Sequence, residues 1–384
     1  MRIAMLLHKS IEHDSRVRRE ARALAADGHD VTVLHLPRTP GELDGPLDGY
    51  RILSVTPPQW VRRRLPFALY RLVFLAAFVS AARRLRPDAV HAHDAAMLAP
   101  GLIAATLTRA VLVYDSHEYA AGVPYRERAW AWLVCALERL AIRRCAAVVT
   151  VSDGIADRLH HRYRLPKRPV VVRNVPDLTA YGDGGPFPDL RVELGVPADA
   201  PLALHLGAAA RDRGCEVLLR ALAQAPGVHA LFLGADDGDY VAGLRSIASD
   251  EGVADRAHFK GSVPIAQVIP CVRQATVGVS LLEPTCENHR LALPNKVFEY
   301  VAAGLPVIVS DLPELRRLVE RHGIGRVVDV RDPRALARAL GAAAGGAGGP
   351  EAANAERAGR MLSWATERGS LVAAYESLSG TGSG

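Results

Sequence analysis

Lys296 and Glu299 are the two residues whose types and spacing suggest chemistry most directly. The apolar spacing around them predicts a helix that Asn295 caps and Gly304 ends. A cation in the first turn of a helix opposes the macrodipole, so Lys296 is best explained if an anion joins the backbone N–H groups there. Glu299 lies one turn further on the same face and could accept hydrogen bonds from sugar hydroxyls. The pair predicts a site for a sugar next to a phosphate, with a local ion pair on an exposed helix as the alternative.

The wider segment around this pair, residues 293–310, reads LPNKVFEYVAAGLPVIVS. It resembles the donor-binding helix of glycosyltransferase family 4, in the subset that carries P-N-K-x-F-E-Y-x-A-A-G-x-P-V. The order of motifs along nearly the whole chain also fits that family. The resemblance implies that Glu299 binds the ribose of a nucleotide and that nearby cations bind its diphosphate.

One position in this region departs from the family's pattern. Many members place a second glutamate eight positions before the first, near the donor sugar, and that position is Leu291 here. We expect backbone groups of the loop that holds Leu291 and Ala292, or the side chains of Asn288 or Glu287, to take its place. The identity of the donor sugar therefore stays open.

A second basic position follows the predicted strand at residues 202–206. The strand ends at Gly207, which we predict to bind the donor, and the loop after it runs to Gly214 at the start of a helix. In the resembled family a basic residue stands just before this second glycine, and here it is Arg213. Arg213 and Lys296 could meet on one diphosphate, although the commoner arginine after the strand glycine is replaced by Ala208. The alternative for Arg213 is a solvated loop residue.

Two loops complete the predicted donor side. Ser262 and Val263 follow a short strand and resemble the family loop whose backbone contacts the base. The acidic run ADDGD at residues 235–239 suggests a metal-binding D-x-D, but hard cations need several converging oxygens and this run reads as an exposed loop. We therefore predict no metal and no cofactor, with a nucleotide diphosphate sugar as co-substrate.

The predicted acceptor side begins after the first strand, where residues 8–19 read HKSIEHDSRVRR. In the resembled family this loop lies beside the sugar and the acceptor. Asp14 is predicted to cap the next helix, while His13 and Arg16 are candidates for contact with the acceptor or a phosphate. We group His13, Asp14 and Arg16 as predicted acceptor-binding residues.

Two further strands end in histidine and carboxylate. The predicted strand at residues 89–93 ends in His93 and Asp94, and the next is followed by His117 and Glu118. The carboxyl ends of parallel strands face the ligand, so these four side chains are candidates for chemistry. We predict that His93, Asp94 and Glu118 bind the acceptor. His117 matches the family's strand-end histidine near the donor sugar and the acceptor, and Glu118 is an open candidate for a general base. The alternative for each histidine is a buried, hydrogen-bonded side chain.

The resemblance implies transfer of a sugar from a nucleotide diphosphate to an acceptor, with retention of the anomeric configuration. Lys296, Arg213 and the helix N-terminus would stabilise charge on the departing diphosphate in place of a metal, and His117 would bond the sugar or its transition state. A nucleotide-sugar 2-epimerase of the same architecture is a rival, and it would turn over without an acceptor. A catalytically inactive nucleotide-sugar-binding or scaffold protein is the third hypothesis, favoured by Leu291 and Ala208.

The elements that must position these residues alternate along the chain. Short apolar runs and amphipathic helical patterns predict an α/β fold with two doubly wound parallel sheets. The resemblance implies the GT-B architecture, in which two Rossmann-like domains face a central cleft and a C-terminal helix crosses back to the N-terminal domain. We predict an acceptor-binding domain at residues 1–178, a linker at 179–200, a nucleotide-sugar-binding domain at 201–350 and the returning helix at 351–384.

Composition limits the remaining possibilities. The chain of 384 residues is 49% hydrophobic and carries a formal charge of +6, which suits a globular enzyme with anionic ligands. Aromatic residues make up only 5%, and no nucleic-acid motif appears, so nucleic acid is not an expected partner. Five scattered cysteines and the lack of an apparent signal peptide predict a bacterial cytoplasmic protein with reduced thiols.

Two basic, apolar segments raise the question of a membrane. Residues 61–84 and 126–144 predict helices with arginines at their ends, and the second contains Trp130 and Trp132. Either helix could lie on an anionic membrane surface, but helices packed on a sheet show the same pattern and are the favoured interpretation. The acceptor is therefore open between a glycan, a lipid-linked molecule and a small molecule, and peripheral membrane contact is open with it.

Overall fold

The computed structural model describes residues 1–37, 43–56, 66–124, 128–181, 187, 189–345 and 349–379. The chain divides into two compact units. The first holds Met1–Arg173 together with the end of the chain from Glu367, and the second holds Asn174–Thr366. Each unit is built on one sheet with helices packed against it.

The sheet of the first unit has eight strands in the described residues, in the order β3-β4-β2-β1-β5-β6-β7-β8. All neighbouring strands are parallel except β3 and β4, which form an antiparallel hairpin at one edge. The strands are β1 (Arg2–Leu7), β2 (Asp30–His35), β3 (Gly45–Leu47), β4 (Tyr50–Ser54), β5 (Ala89–His93), β6 (Val111–Ser116), β7 (Ala147–Thr150) and β8 (Val170–Val171).

Each helix of this unit follows a strand along the chain, as in a doubly wound fold. They are α1 (Ser15–Ala26), α2 (Phe67–Leu85), α3 (Ala95–Thr108), α4 (Arg128–Ile142) and α5 (Asp153–Tyr163). Helix α2 packs against α3, and α3 packs against α4. Short 3-10 turns lie at Ile11–His13 and Ala120–Gly122.

The second unit has a six-stranded, fully parallel sheet in the described residues, in the order β11-β10-β9-β12-β13-β14. Its strands are β9 (Leu202–Leu206), β10 (His229–Leu233), β11 (Ala257–Lys260), β12 (Val277–Ser280), β13 (Val307–Ser310) and β14 (Gly325–Val328). Apolar side chains of β9, β10 and β12 are almost fully buried, as expected for strands covered on both faces.

Most helices of the second unit cover the two faces of that sheet. They are α6 (Leu190–Leu194), α7 (Cys215–Leu222), α8 (Asp239–Asp250), α9 (Ile265–Val272), α10 (Glu287–Leu291), α11 (Asn295–Ala302), α12 (Pro313–His322), α13 (Pro333–Ala344) and α14 (Pro350–Met361), with a 3-10 turn at Leu178–Tyr181. The last helix, α15 (Trp364–Ser379), begins in this unit and continues into the first.

Two close backbone approaches require glycine near the predicted donor segments. A Cβ on Gly214, whose φ is +67°, would lie 2.4 Å from the Cβ of Leu281. A Cβ on Gly278 would lie 2.3 Å from Cγ of Tyr300. Glycine at these positions lets the start of α7 and the ring of Tyr300 pack directly on β12 and the loop after it.

The predicted α/β class, with two Rossmann-like parallel-sheet domains, is confirmed. The hairpin of β3 and β4 was not among the predicted strands, because β3 is a short Gly-Pro-Leu segment and polar residues alternate along β4. The predicted returning segment, residues 351–384, is divided: α14 belongs to the second unit and the chain from Glu367 belongs to the first. The interval predicted as a linker, residues 179–200, contains α6 and belongs to the second unit.

The two basic, apolar segments correspond to α2 and α4. Residues 61–65 and 126–127 of the predicted segments lie outside the described residues, as does the side chain of Trp130. Among the described helices, none combines the length and apolar character needed to cross a bilayer.

Candidate functional site

In the first unit, the predicted site residues gather around Asp115, near the carboxyl end of β6. Asp115 is completely buried, and its carboxylate accepts hydrogen bonds from three side chains. Arg16 donates from Nε and Nη2, each over 2.8 Å. His117 Nε2 lies 2.9 Å from Oδ2, and His93 Nδ1 lies 3.2 Å from the same oxygen. The buried carboxylate therefore fixes the orientation of both strand-end histidines.

Arg16 does not reach an acceptor, contrary to the sequence-based expectation. Its side chain is 4% exposed. Besides the two bonds to Asp115, it donates to the carbonyl of Val172 over 2.6 Å and forms an ion pair with Glu20 at 3.0 Å. An arginine that is enclosed and saturated in this way positions Asp115 and cannot contact a ligand.

His117 lies between two carboxylates. Its Nε2 faces Asp115, while its Nδ1 lies 3.4 Å from Oδ2 of Asp94. Burial alone would lower the pKa of His117, but Asp94 and Asp115 outweigh it and raise that pKa to about 9. At neutral pH the ring is an imidazolium whose Nε2 donates to Asp115 and whose Nδ1 faces Asp94 at ion-pair distance, so His117 acts as an oriented cation and not as a base.

The raised pKa of His117 predicts a pH-dependent stability. A folded pKa of about 9 exceeds the unfolded value of 6.5, so the stabilisation is complete below pH 6.5 and is lost as the pH rises through 9. We expect His117→Gln to lower the free energy of unfolding by about 2–3 kcal/mol at acidic to neutral pH. Urea titrations of both proteins should show this difference shrinking towards pH 9; a constant difference would contradict the assignment.

A cavity of about 370 Å³ adjoins these groups. Its lining includes His8, Lys9, Asp94, His117 and Glu118. Lys9 Nζ lies 3.0 Å from Oδ2 of Asp14, and Asp14 also caps α1 by accepting from the N–H of Val17 over 3.0 Å, as predicted. The volume suits one sugar-sized group, and the mixture of carboxylate, imidazolium and ammonium suits its hydroxyls.

Asp94 holds a strained backbone conformation beside this cavity. Its φ of 65° and ψ of 161° fall in a region that is essentially restricted to glycine. The strain is maintained by the bond from its N–H to the carbonyl of Asp115, over 2.9 Å. The conformation directs the carboxylate towards His117, which makes Asp94 a functional candidate and not merely the residue before α3.

A pair of substitutions separates this strain from the carboxylate. Asp94→Gly and Asp94→Ala both remove the carboxylate, but only glycine relieves the backbone. We expect the glycine variant to be more stable than the alanine variant by about 1–3 kcal/mol in urea titrations. The same pair at Asp157, an exposed position within α5, should favour alanine by up to about 1 kcal/mol. Equal stability of the two Asp94 variants would contradict the strain.

The structure gives less information about the roles of the remaining predicted acceptor residues. Glu118 is exposed at the cavity, where its candidate role as a base stays a prediction. His13 ends the 3-10 turn before α1, and its side chain lies outside the described residues. His93 is completely buried, so it orients Asp115 and His117 from behind the cavity.

Behind Asp115 lies a buried group that could resemble a metal site. Ligand atoms of Glu20, His91, His93 and Asp115 fall within 4.8 Å of one another, which makes this the candidate cluster among the described residues. The guanidinium of Arg16, however, already pairs with both Asp115 and Glu20. The side chain of Arg16 is therefore already the cation of this cluster, and the donors do not fit a metal ion in addition. Burial raises the pKa of Glu20, and its pairing with Arg16 opposes that rise.

In the second unit, the predicted donor residues converge on the N-terminus of α11. Lys296 is half-buried, and its Nζ lies 3.3 Å from Nε2 of His205, at the end of β9. Burial and the nearby charge of Arg213 lower the pKa of Lys296 to about 8. Burial and Lys296 hold the pKa of His205 well below its usual value, so its neutral ring accepts from the ammonium.

Arg213 completes a cationic region at the start of α7. It is exposed, and within the described residues its guanidinium has no ion-pair partner. Gly214, in the left-handed conformation, caps α7 directly after it. Two cations near two helix N-termini, with their mutual repulsion expressed in the lowered pKa of Lys296, form a site suited to a polyanion.

Tyr300 anchors the helix that carries Lys296 and Glu299. Its completely buried hydroxyl accepts from the N–H of Leu206 over 2.9 Å and lies 3.0 Å from the carbonyl of Leu204 and 3.1 Å from that of Val279. The phenol thus joins α11 to β9 and β12 and sets the height of the helix N-terminus above the sheet.

Several details differ from the predicted donor side. Asn295 does not cap α11: the cap position is Pro294, with no side-chain hydrogen bond. The segment predicted as a loop contains α10, which carries Asn288 and Leu291 and ends before Ala292. Gly207 has a φ of +88° and bonds Leu233 through its N–H, so its own amide is already used.

The acidic run after β10 organises the predicted base loop. Oδ1 of Asp236 accepts from the N–H of Ser262 over 3.2 Å. Asp237 is exposed and pairs with Arg245 at 4.0 Å. Asp236 therefore positions Ser262 and the adjoining Val263, the predicted base-contacting residues.

Five residues that contribute to these sites were not predicted from the sequence: His8, Lys9, Asp115, His205 and Tyr300. His205 and Tyr300 belong to apolar patterns that also describe ordinary core residues, and Asp115 precedes the motif histidine. A polar residue at the carboxyl end of each strand was the available signal for His8, Asp115 and His205.

Comparison with known proteins adds to this geometry. A model of Glycosyltransferase Family 4 matches residues 15–179, and a model of Glycosyl transferases group 1 matches residues 200–344. The chain belongs to glycosyltransferase family 4. The predicted family resemblance is confirmed.

The relatives of this family 4 chain align with it over only part of their own length. The lipopolysaccharide core biosynthesis glycosyltransferase LpsE of Rhizobium meliloti is 33% identical over 39% of this chain and 41% of the relative. The 2-deoxystreptamine N-acetyl-D-glucosaminyltransferase of Streptomyces fradiae is 30% identical over 70% of this chain and 66% of the relative. The chain thus spans less than two thirds of these relatives.

Solved structures resemble the fold over almost the whole chain. Sucrose-phosphate synthase from Thermosynechococcus elongatus has a TM-score of 0.78 at 19% identity, covering 99% of this chain and 100% of that one. HepE of Anabaena, solved with UDP-glucose, has a TM-score of 0.72 at 19% identity, covering 98% and 99%. At this identity the likeness establishes the fold of the family 4 chain.

Proposed function

We propose that this family 4 chain transfers a sugar from a nucleotide diphosphate sugar to a hydroxyl-bearing acceptor. The observation that carries the proposal is the site at the N-termini of α7 and α11, where Arg213 and the half-buried Lys296 form an electropositive region. A diphosphate would neutralise both cations and accept from the helix N–H groups, and these contacts strengthen as the leaving group gains charge.

The proposed transfer proceeds with retention and without a metal. Lys296, Arg213 and the N-terminus of α11 would stabilise the departing diphosphate, and Glu299 would hold the ribose. In the first unit Nε2 of the His117 imidazolium stays bonded to Asp115, and its Nδ1–H, at ion-pair distance from Asp94, would donate to a sugar or acceptor oxygen. The leaving phosphate oxygen would take the acceptor's proton.

The proposed acceptor is a ring polyol or a sugar. The cavity beside Asp94, His117 and Glu118 has the volume for one ring. Relatives named for 2-deoxystreptamine and for D-inositol 3-phosphate support a ring polyol, and LpsE is named for lipopolysaccharide core biosynthesis. A lipid-linked acceptor would add peripheral contact with a membrane to the proposal.

The test is ligand-dependent stability followed by turnover. UDP, GDP, dTDP and ADP should be screened by thermal shift with and without EDTA, and the sugar form of the stabilising nucleotide then incubated with ring polyols. Product NMR would report the anomeric configuration. Stabilisation that EDTA does not change, and a product with the donor's configuration, are expected. Inverted product, or turnover that needs a divalent metal, would contradict the proposed mechanism.

The epimerase alternative is tested in the same assay. A structural neighbour described as a putative UDP-N-acetylglucosamine 2-epimerase, from Listeria monocytogenes, has a TM-score of 0.60 at 13% identity. Epimerised nucleotide sugar formed without any acceptor would favour that alternative. Nucleotide binding without conversion in either assay would favour the inactive binding protein.

A further inference from the structure

A series of buried polar side chains leads from His117 to the last helix of the fold. Tyr375 of α15 is completely buried, and its hydroxyl lies 2.9 Å from Nδ1 of His91 on β5. The ring of His91 stacks on that of His93, with centroids 4.3 Å apart and planes inclined by 22°. Nδ1 of His93 in turn lies 3.2 Å from Oδ2 of Asp115 and 3.2 Å from Nε2 of His117. We call Tyr375, His91 and His93 the supporting stack.

The polar groups of the supporting stack are unfavourable in the core of a parallel sheet. His91 and His93 are both completely buried, and within the described residues Nε2 of each ring has no hydrogen-bond partner. Burial holds the pKa of His91 well below its usual value, so its ring is neutral. A buried polar atom without a partner costs free energy, and apolar residues of similar volume would avoid that cost. Groups of this kind beside a candidate site indicate a role in that site.

The attachment of α15 to the first unit does not require the hydroxyl of Tyr375. Leu371 and Ala374 lie on the same helix and are buried apolar residues of the first unit. The ring of Tyr375 adds to their contact, and a phenylalanine would supply the same ring. The hydroxyl contributes the bond to His91, and this bond restricts an imidazole whose Nε2 has no partner in the described residues.

His93 is the member of the supporting stack that contacts the candidate site. Its Nδ1 and Nε2 of His117 approach the same oxygen of Asp115, over 3.2 and 2.9 Å. The rings of His93 and His117 also meet edge to face, with centroids 5.3 Å apart. Because this interior is close-packed, a shift of the His93 ring would move Asp115 or His117. The plane of His93, which the stack on His91 fixes, therefore sets the position of His117.

We propose that Tyr375 and His91 are positioning residues for the sugar transfer. They hold the ring of His93, and His93 holds Asp115 and His117 in place. The proposal rests on the proposed function, in which the imidazolium of His117 donates to a sugar or acceptor oxygen. It gives the last helix a part in the chemistry of the first unit, although the hydroxyl of Tyr375 touches no substrate.

The pKa of His117 reports this positioning without any substrate. Outside the supporting stack, six charged or titratable groups interact with His117 electrostatically: Asp94, Asp115, Asp14, Glu20, Arg16 and His8. Burial lowers the pKa of His117, and Asp94 and Asp115 outweigh burial to bring it to about 9. Part of the effect of Asp115 is its hydrogen bond to His117. A looser supporting stack would weaken that bond and lower the pKa.

The test measures the pKa of His117 by hydrogen–deuterium exchange at C2 of its imidazole, read by mass spectrometry of the digested full chain. Tyr375→Phe is compared with wild type and with Tyr163→Phe, whose hydroxyl bonds the buried carboxylate of Glu138 in the same unit. Both changes remove one buried hydroxyl, so urea titrations should show similar losses of stability. The pKa of His117 should stay at about 9 in wild type and control, and fall below about 8 in Tyr375→Phe.

Turnover shows whether the effect reaches the reaction. With the donor and ring polyol that the nucleotide screen identifies, Tyr375→Phe should lower kcat about tenfold and leave the KM for the nucleotide sugar unchanged. In a His117→Gln background the same change should lower kcat less than about twofold, because its effect passes through His117.

Two outcomes would overturn the proposal. One is a pKa of His117 that is unchanged in Tyr375→Phe, or that falls equally in Tyr163→Phe, which would reduce the effect to lost stability. The other is an equal loss of kcat with and without His117. Nucleotide-dependent thermal shifts should be unchanged, because the donor residues lie in the second unit. If wild type transfers no sugar, the proposed function fails, while the exchange measurement still decides the positioning role.

Discussion

Replacing Arg16 with leucine is expected to lower the free energy of unfolding by about 3–5 kcal/mol. Arg16 is enclosed and donates to Asp115 and to the carbonyl of Val172. Without it, the carboxylate of Asp115 stays buried with only the two histidines as partners. Urea titration gives the loss directly, and Arg22→Leu on the same helix, which breaks the exposed pair with Asp48, should cost at most about 1 kcal/mol.

A double-mutant cycle tells this positioning role from a general packing effect. Arg16→Leu/Asp115→Asn should be more stable than the sum of the two single changes implies, because neither charge is then left alone. Additive losses would contradict the pairing. The single arginine variant should also lose turnover, since Arg16 no longer fixes the position of the Asp115 carboxylate that orients His117.

Replacing Lys296 with methionine is expected to change two properties in opposite directions. Affinity for the stabilising nucleoside diphosphate should fall by about 100-fold, because a charge-assisted bond to phosphate is lost. The ligand-free protein should instead become more stable, by about 1–3 kcal/mol near neutral pH, because burial and Arg213 disfavour the ammonium in the empty site. Calorimetric titration and thermal melts measure the two effects.

The matched control is Lys167→Met, an exposed lysine in the first unit. It should alter neither nucleotide affinity nor stability beyond about 0.5 kcal/mol. If the Lys296 variant is destabilised without ligand, the interpretation that the empty site disfavours the ammonium of Lys296 is contradicted. Full retention of nucleotide affinity would remove Lys296 from the donor site.

The sequence allowed much of the fold to be predicted, because both sheets consist of short apolar runs between amphipathic helices. The hairpin of β3 and β4 lacks that pattern and was not predicted. The donor helix could be predicted from Lys296, Glu299 and Gly304, since a misplaced cation at a helix start is visible without coordinates. Its cap was wrong, because Pro294 already sets the extended backbone that begins the helix.

The role of Arg16 could not be predicted, and the reason is physical. Its partner Asp115 lies 99 positions away, and only the packing of α1 on the sheet brings the two together. His205 reads as one polar residue in a buried strand until Lys296 is placed beside it. The backbone strain at Asp94 has no signature in residue types, because aspartate commonly precedes a helix for capping alone.

Proton uptake on nucleotide binding tests the central claim most directly. Lys296 has a pKa of about 8 in the empty site, and a bound diphosphate would raise it. At a pH of about 8.5, binding should therefore take up roughly half to three quarters of a proton, measured by calorimetry in buffers of different ionisation enthalpy. Affinity should also decline as the pH rises above 8. Wild type should show this uptake and Lys296→Met should not; binding without proton uptake in wild type would contradict the assignment of Lys296 as the cation that receives the diphosphate.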